Sequence, residues 1–206
     1  MTQTNKKTKV IGITGPSGAG KSLFRSFLEE KGLVCIDADE VYHDLLIPPS
    51  ACLDSLREAF GDAIFVKDGA LDRKALGEIV FHDPTKLTLL NQTVLPHVLD
   101  RISTMIEQNA SNGVSHVFLD APTLIESGFH RECDAVISVL ANETVRSERI
   151  ALRDHLTADQ ANTRIRAQRE DSFYITHSDH VLYNNADQAA FLLTAEELLK
   201  RLTEPS

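Results

Sequence analysis

The 206-residue sequence lacks paired cysteines, a surplus of basic residues and long apolar segments. Its cysteines Cys35, Cys52 and Cys133 are scattered and include no C-x-x-C pair, so we expect neither a disulfide framework nor a zinc site. Lysine and arginine number 21 against 30 acidic residues, and the net charge of −9 weighs against general binding to nucleic acid or anionic membranes. One local basic pocket for a small phosphate ligand is still compatible with this charge.

The number and distribution of apolar residues also predict the cellular compartment of the protein. No segment approaches the roughly 20 apolar residues of a membrane span. The first apolar run, Val10 to Ile13, is far too short for a signal peptide. Apolar residues make up 42% of the chain and charged residues 25%, close to the averages of globular proteins. We therefore expect a cytoplasmic globular protein.

Short runs typical of strands alternate with helical patterns along most of the chain. The predicted strands are 9–14, 33–37, 114–120, 135–141 and 181–183, and the predicted helices are 21–31, 143–154, about 157–169 and 188–202. Residues 40 to 112 carry almost only helical signals, with an interruption predicted at Pro96. Alternating strands and helices favour an α/β fold with a doubly wound parallel sheet, into which this helical segment is inserted.

The most specific motif is the run Gly15-Pro16-Ser17-Gly18-Ala19-Gly20-Lys21-Ser22, which matches G-x-x-x-x-G-K-S/T in full. A strand precedes it and a helix begins at Lys21, as a P-loop requires. Glycines let backbone N–H groups approach a polyphosphate, the lysine reaches the outer phosphates, and the Ser22 hydroxyl is placed to coordinate Mg²⁺. The motif predicts a P-loop NTPase-type fold that binds a nucleoside triphosphate.

Other motifs separate the classes of P-loop protein. The chain has no N-K-x-D after its first strand, and Asp120 does not begin a D-x-x-G, so a GTPase switch is not expected. A small-molecule kinase needs a carboxylate at the end of a neighbouring strand, and Asp37 and Asp39 follow the second strand. We predict that Asp39 accepts the proton of the acceptor hydroxyl; the alternative is that both aspartates only cap a helix or turn.

Further charged residues have two interpretations each. Arg146, Arg149 and Arg153 share one helix face, which is either a lid that clamps phosphates or a solvated face paired with Glu148 and Asp154. Glu126 either meets the substrate or Mg²⁺-bound water, or is a helix-start glutamate. Asp120 ends an apolar strand as a Walker-B carboxylate does, and Asp37 is the other candidate for that role beside the metal.

The chain resembles the dephospho-coenzyme A kinase family. The matching segments occur in the family's order and spacing between about residues 9 and 200. They are residues 15–22, 36–39, 69–76, 80–84, 119–128, 133–136, 149–154, 164–168 and 179–184. Many families share the P-loop, but this ordered set is highly specific.

The resemblance implies ATP-dependent phosphorylation of the 3′-hydroxyl of dephospho-coenzyme A, the last step of coenzyme A synthesis. It implies one P-loop kinase domain over 1–206, with a core at about 9–40, 114–150 and 178–206, a substrate-binding helical insertion at about 41–112, and a lid at about 151–177. The implied catalytic residues are Asp39, Lys21, Arg149 and Arg153. The implied ATP site comprises Gly18, Ala19, Gly20, Lys21, Ser22, Leu23 and Asn184, with Asn184 close to the adenine. The metal residues are Ser22 and Asp120.

At several positions the chain departs from the family pattern. His43 stands where arginine is common, Leu95 where histidine precedes the proline, Arg146 where glutamine is common, and Leu23 where threonine is common. Since a neutral histidine cannot replace a permanent cation beside phosphate, we expect another basic residue, with Arg73 as the candidate, to supply that charge. The predicted acceptor-binding residues are Asp37, His43, Arg73 and Glu126.

The expected partners are small molecules, ATP with Mg²⁺ and dephospho-coenzyme A, and neither nucleic acid nor a membrane. The chain is expected to be a monomer or a weak homo-oligomer. Two alternatives remain: a P-loop kinase with a nucleoside or nucleotide acceptor, and a regulatory protein that binds ATP without transferring phosphate. Acceptor screening distinguishes the first of these, and ATP binding without ADP release would indicate the second.

Overall fold

The computed structural model describes residues 8–203, so residues 204–206 of the predicted core lie outside the described part. Its strands are β1 (Lys9–Thr14), β2 (Val34–Asp37), β3 (His116–Asp120), β4 (Ala135–Leu140) and β5 (His180–Tyr183). Its α-helices are α1 (Lys21–Glu30), α2 (Ala38–Leu45), α3 (Ala51–Phe60), α4 (Arg73–Phe81), α5 (Pro84–Ser111), α6 (Glu143–Asp154), α7 (Ala158–Arg166), α8 (Asp171–Thr176) and α9 (Gln188–Thr203).

The strands form one sheet in the order β2-β3-β1-β4-β5. β1 runs parallel to both β3 and β4, and β4 runs parallel to β5. The register places Ile13 beside Asp120 on one side and beside Ile137 on the other. Residues that follow β1 and β3 therefore emerge at the same edge of the sheet. The predicted α/β fold with a parallel sheet is confirmed.

The chain divides into two compact units. The sheet unit comprises Met1–Ile36 and Asn109–Ser206, and the helical unit comprises Asp37–Gln108. In the sheet unit, α1 and α9 pack against the central strands through an apolar cluster that includes Ile13, Phe24 and Phe191. The rings of Phe24 and Phe191 meet edge to face at 6.4 Å. This packing holds the first turn of α1 next to the end of β1.

The helical unit is built mainly from α3, α4 and α5, as the sequence predicts for residues 40 to 112. Two short non-helical features also occur there, a 3₁₀ turn at Asp62–Ile64 and an antiparallel bridge between Phe65 and Leu71. The predicted interruption at Pro96 is wrong, because α5 runs through it from Pro84 to Ser111. Val94, Val98 and Ile102 form a buried stripe at four-residue spacing. Packing along this stripe offsets the one hydrogen bond that proline cannot make.

Around the predicted lid, the sequence indicates α7 and misses α8. The predicted capping box is confirmed: Gln160 donates its N–H to Thr157 Oγ1 at 3.3 Å, and Thr157 donates its N–H to Gln160 Oε1 at 2.9 Å. α7 ends at Arg166 rather than near 169. α8 is only six residues long, too short for an apolar period to stand out.

Candidate active site

The loop between β1 and α1 has the backbone of a phosphate-binding loop. Gly15 and Gly20 have φ angles of +135° and +107°, a region that other residues rarely adopt. A Cβ on Gly15 would lie 2.1 Å from the carbonyl oxygen of Val139, and one on Gly20 would lie 2.1 Å from Asn184 Nδ2. The loop is pressed so closely against its neighbours that only glycine fits at these two positions.

The first turn of α1 is open to an anion. Gly20 occupies the N-cap position, and no side chain in the described residues caps this turn. The first N–H groups of a helix have no partner within the helix, so they and the positive end of the helix dipole favour a bound phosphate. Lys21 donates from Nζ to the carbonyl oxygen of Gly15 at 2.6 Å, across the loop, and Ser22 is exposed beside it. Leu23 instead packs its side chain against the apolar cluster, leaving only its backbone to the site.

The three arginines of α6 all contact this loop. Arg149 donates from Nη1 to the carbonyl oxygens of Gly18 and Ala19, each at 3.4 Å. Arg153 donates from Nη2 to Ser17 Oγ at 3.3 Å. Arg146 is 3% exposed. The alternative of a solvated face is therefore wrong for Arg146, although Arg153 does pair with Asp154 as that alternative supposed.

Asp154 joins α6 to α7. It accepts two hydrogen bonds from Arg153, at 2.8 and 2.9 Å, and also pairs with Arg164. The hydrogen bonds from Arg153 and the charges of both guanidinium groups lower the pKa of Asp154 to about 2. The carboxylate thus stays ionised over the whole range in which kinases work and holds Arg153 beside the loop.

Asn184 lies directly behind the P-loop. It is 1% exposed and donates from Nδ2 to the carbonyl oxygen of Ala19 at 2.9 Å. Its Oδ1 accepts a hydrogen bond from Arg149 at 3.3 Å. In this structure Asn184 therefore supports the loop and orients Arg149.

Asp120 is the last residue of β3 and Glu126 follows that strand, and the two side chains differ in burial. Asp120 is buried at the strand end, beside Ile13 of β1, which is the position of a Walker-B carboxylate. Glu126 is exposed in a turn between β3 and the 3₁₀ turn Phe129–Glu132, so its interpretation as a helix-start glutamate is wrong. Burial raises the pKa of Tyr174, and the nearby charge of Glu126 raises it further.

The remaining predicted site residues belong to the helical unit. β2 ends at Asp37, whose Oδ1 accepts the N–H groups of Asp39 at 2.8 Å and Glu40 at 3.3 Å. Asp37 therefore caps α2, the alternative that the sequence left open, while Asp39 is exposed in the first turn of that helix. His43 is exposed one helical turn later.

Arg73 is exposed at the start of α4. Burial raises the pKa of Tyr42, and the charge of Arg73 opposes that rise. Arg73 therefore lies within electrostatic range of the residue that precedes His43, where we expect a compensating cation.

Between residues 8 and 203, no three or more His, Cys, Asp or Glu side chains are grouped so that they could hold a metal ion. None of the helices between residues 8 and 203 is long and apolar enough to cross a membrane.

Comparisons with known proteins decide the family. A family model for dephospho-CoA kinase matches residues 9–190. The chain belongs to the dephospho-CoA kinase family. The dephospho-CoA kinase of Symbiobacterium thermophilum is 36% identical over 176 residues, which are 85% of this chain and 74% of that protein.

Solved structures agree with this dephospho-CoA kinase fold. A protein of Thermus thermophilus superposes with a TM-score of 0.79 and 29% identity, covering 97% of this chain and all of that one. The dephospho-CoA kinase from Campylobacter jejuni has a TM-score of 0.71 and 23% identity, covering 94% of this chain and 96% of that chain.

In this dephospho-CoA kinase family member, three residues meet at the loop in a way that the sequence did not predict. Ser17, Arg146 and Gln168 are joined by hydrogen bonds, whereas the sequence placed Ser17 only within the P-loop motif, left Arg146 with two interpretations and gave Gln168 no role. Gln168 lies in one of the matching segments, 164–168, which was the only available signal. Arg146 stands where the family commonly has glutamine, and helical spacing alone does not reveal that an arginine is buried.

Proposed function

We propose that this chain transfers the γ-phosphoryl group of ATP to the 3′-hydroxyl of dephospho-coenzyme A, giving coenzyme A and ADP in the last step of coenzyme A synthesis. Membership of the family supports this substrate pair. The observation that carries the proposal is the uncapped first turn of α1, together with the contacts that Lys21, Arg149 and Arg153 make with the loop before it. Such an arrangement of N–H groups and cations fits a polyphosphate.

The loop itself would hold ATP. The backbone N–H groups of Gly18 to Ser22 bind the β- and γ-phosphates, and Lys21 exchanges its contact with Gly15 for the outer phosphates. Arg149 and Arg153 neutralise the charge that spreads over the phosphoryl oxygens during transfer. Asn184 fixes the loop from behind and keeps Arg149 directed towards it.

The residues present fit Mg²⁺ as kinases bind it. This ion usually takes one or two protein oxygens and completes its shell with phosphate oxygens and waters, so no dedicated cluster of ligands is required. Ser22 would supply the protein oxygen, and Asp120 or Asp37 would orient a bound water. When bound, the ion would offset the negative charge of the phosphates.

Asp39 is the proposed general base. Its carboxylate is exposed in the first turn of α2, where the cap from Asp37 holds the backbone of that turn. It would accept the proton of the acceptor hydroxyl and keep that oxygen in line with the γ-phosphorus. Asp37, His43, Arg73 and Glu126 would bind the acceptor, with Arg73 supplying the permanent positive charge that His43 lacks.

The proposed setting is a cytoplasmic enzyme, monomeric or weakly self-associating, that acts on small molecules and binds neither nucleic acid nor a membrane. The net charge of −9 supports the absence of nucleic-acid binding. Equilibrium sedimentation across a range of concentrations tests the oligomeric state.

The decisive test is ADP release from purified protein with Mg²⁺-ATP and dephospho-coenzyme A, with uridine, cytidine and AMP as parallel acceptors. We expect release only with dephospho-coenzyme A and a product that mass spectrometry identifies as coenzyme A. Release with another acceptor would retain the kinase activity and overturn the substrate. Binding of ATP without release with any acceptor would indicate a regulatory protein instead.

A further inference from the structure

Every polar group of Ser17 is held by a side chain from a distant part of the sheet unit. Its N–H donates to Gln168 Oε1 at 2.9 Å, and its carbonyl oxygen accepts from Arg146 Nε at 3.1 Å. Its Oγ accepts from Arg153 Nη2 at 3.3 Å. Ser17 immediately precedes the run Gly18 to Ser22, so these contacts fix the entry to the proposed phosphate-binding segment.

Two of these side chains, Arg146 and Gln168, also contact each other, and we call this hydrogen-bonded pair the bracket. Arg146 donates from Nη2 to Gln168 Oε1 at 2.8 Å, so one amide oxygen accepts from both Arg146 and Ser17. Arg146 is 3% exposed, and its Nη1 lies 3.7 Å from the carboxylate of Asp171 at the start of α8. A buried guanidinium must be paired to be tolerated, and its planar fork fixes the directions of its donors. The bracket therefore has one defined geometry.

We infer that Gln168 and Arg146 are positioning residues that keep the P-loop in its ATP-binding shape by holding the backbone of Ser17. The inference rests on the proposed use of ATP by this loop. Glycines at positions 15, 18 and 20 make the loop costly to order, and a loop ordered before the ligand arrives loses less entropy on binding. The donors of Arg146 are directed at Ser17, Gln168 and Asp171, so it acts through the loop and does not itself bind phosphate.

Gln168→Met tests the bracket, because methionine matches the length of glutamine and removes the shared acceptor. We expect the Kd for ATP, measured by calorimetric titration, to rise about fivefold, because the loop loses the hydrogen bond of ordinary strength that holds the Ser17 N–H. The KM for ATP should rise in parallel while the KM for dephospho-coenzyme A stays unchanged. Gln188→Met, an exposed glutamine at the start of α9, is the matched control and should bind ATP as the wild type does.

Arg146→Lys tests the same bracket from its other end. Lysine keeps the charge but loses the fork, so ATP affinity should fall by a similar factor. The double variant should bind ATP no more weakly than the weaker-binding single variant, because both changes disrupt the same bracket. Melting temperatures measured beside each titration report any loss of folded protein, and the Gln168 variant keeps the test valid if Arg146→Lys is unstable.

Each outcome has one meaning. Unchanged or tighter ATP binding by Gln168→Met, equal changes in both KM values, or additive effects in the double variant would overturn the bracket. Absence of ATP binding by the wild type would instead overturn the proposed function, so the two failures are distinguishable.

Discussion

The P-loop of the sheet unit and the predicted acceptor residues of the helical unit are organised differently. Around the loop, buried side chains such as Arg146 and Asn184 hold backbone groups in place. In the helical unit, Asp39, His43 and Arg73 are exposed. The fold thus orders the proposed ATP site before any ligand binds, whereas on the acceptor side it presents charged groups whose positions depend more on the substrate.

This difference has an energetic basis. Phosphate-binding N–H groups gain most when they are already aligned, because reorienting dipoles at the moment of reaction costs free energy. Exposed charges remain hydrated until a substrate displaces the water, so each contributes little before binding. Changes at the two regions should therefore affect ATP binding and phosphoryl transfer in different proportions.

Asp39→Asn should have the largest effect, a fall in kcat of about 10²- to 10⁴-fold, because the variant cannot accept the acceptor's proton. ATP affinity should be unchanged, since the substituted residue belongs to the acceptor side. Steady-state kinetics and calorimetric titration measure the two quantities. Asp44→Asn, an exposed aspartate of the same helix, is the control. Near-normal turnover of Asp39→Asn would remove this residue from the proposed mechanism.

Lys21→Ala should lower kcat/KM by about 10²- to 10³-fold, because one cation directed at the developing charge is lost. Unlike Asp39→Asn, it should weaken ATP binding as well, and circular dichroism should show an intact fold. Lys200→Ala, at an exposed position on α9, should change neither quantity. If Lys21→Ala changed turnover but not ATP affinity, the loop would not be the ordered ATP site described above.

Asp154→Asn should lower the melting temperature by a smaller amount that depends on pH. The pKa of Asp154 is about 2 in the folded protein and 3.8 for an ordinary aspartate side chain, so its stabilisation is present above about pH 4 and is lost as the pH falls through 2. The difference in melting temperature between wild type and variant should thus be constant above about pH 5, shrink as the pH falls, and vanish only below pH 2. Asp159→Asn, exposed on α7, is the control. A difference that did not depend on pH would contradict the ion pairs of Asp154 as its source.

The effect of ATP on thiol labelling should be the smallest of these effects. It compares the labelling rates of cysteines in the sheet unit and in the helical unit. Burial raises the pKa of Cys35 and of Cys133 to about 12, and also raises that of Cys52 in the helical unit. Since the thiolate is the nucleophile, all three should react slowly with iodoacetamide near pH 8 in the folded protein and rapidly after denaturation. ATP should slow the labelling of Cys35 and Cys133 severalfold further, with little change at Cys52. Equal protection of all three, measured by peptide mass spectrometry, would contradict binding of ATP to the sheet unit alone.

The sequence predicted those features that depend on neighbours along the chain. The P-loop between Gly15 and Ser22 is a local pattern of glycines and charges, and its context of strand and helix is equally local. The capping box of Thr157 and Gln160 follows from the same short-range chemistry. Predicted and observed bounds of α6 coincide at Glu143–Asp154, where the amphipathic period is long enough to be clear.

The predictions that failed depend on distant contacts. Pro96 was expected to interrupt a helix, but buried neighbours on the same face keep α5 continuous. Arg146 had two equal interpretations because helical spacing does not state which face is buried. The alternative interpretation of Glu126 as a helix-start residue also failed, because the chain turns there.

The sequence by itself determined the parallel α/β fold, the phosphate-binding loop and the family, because these are encoded in local patterns and their order along the chain. Only the tertiary structure revealed that Arg146 and Gln168 meet at Ser17 and that Asn184 supports the loop. These contacts join residues more than a hundred positions apart. Their partners are chosen by packing and by the need of buried polar groups for hydrogen bonds, neither of which a linear pattern records.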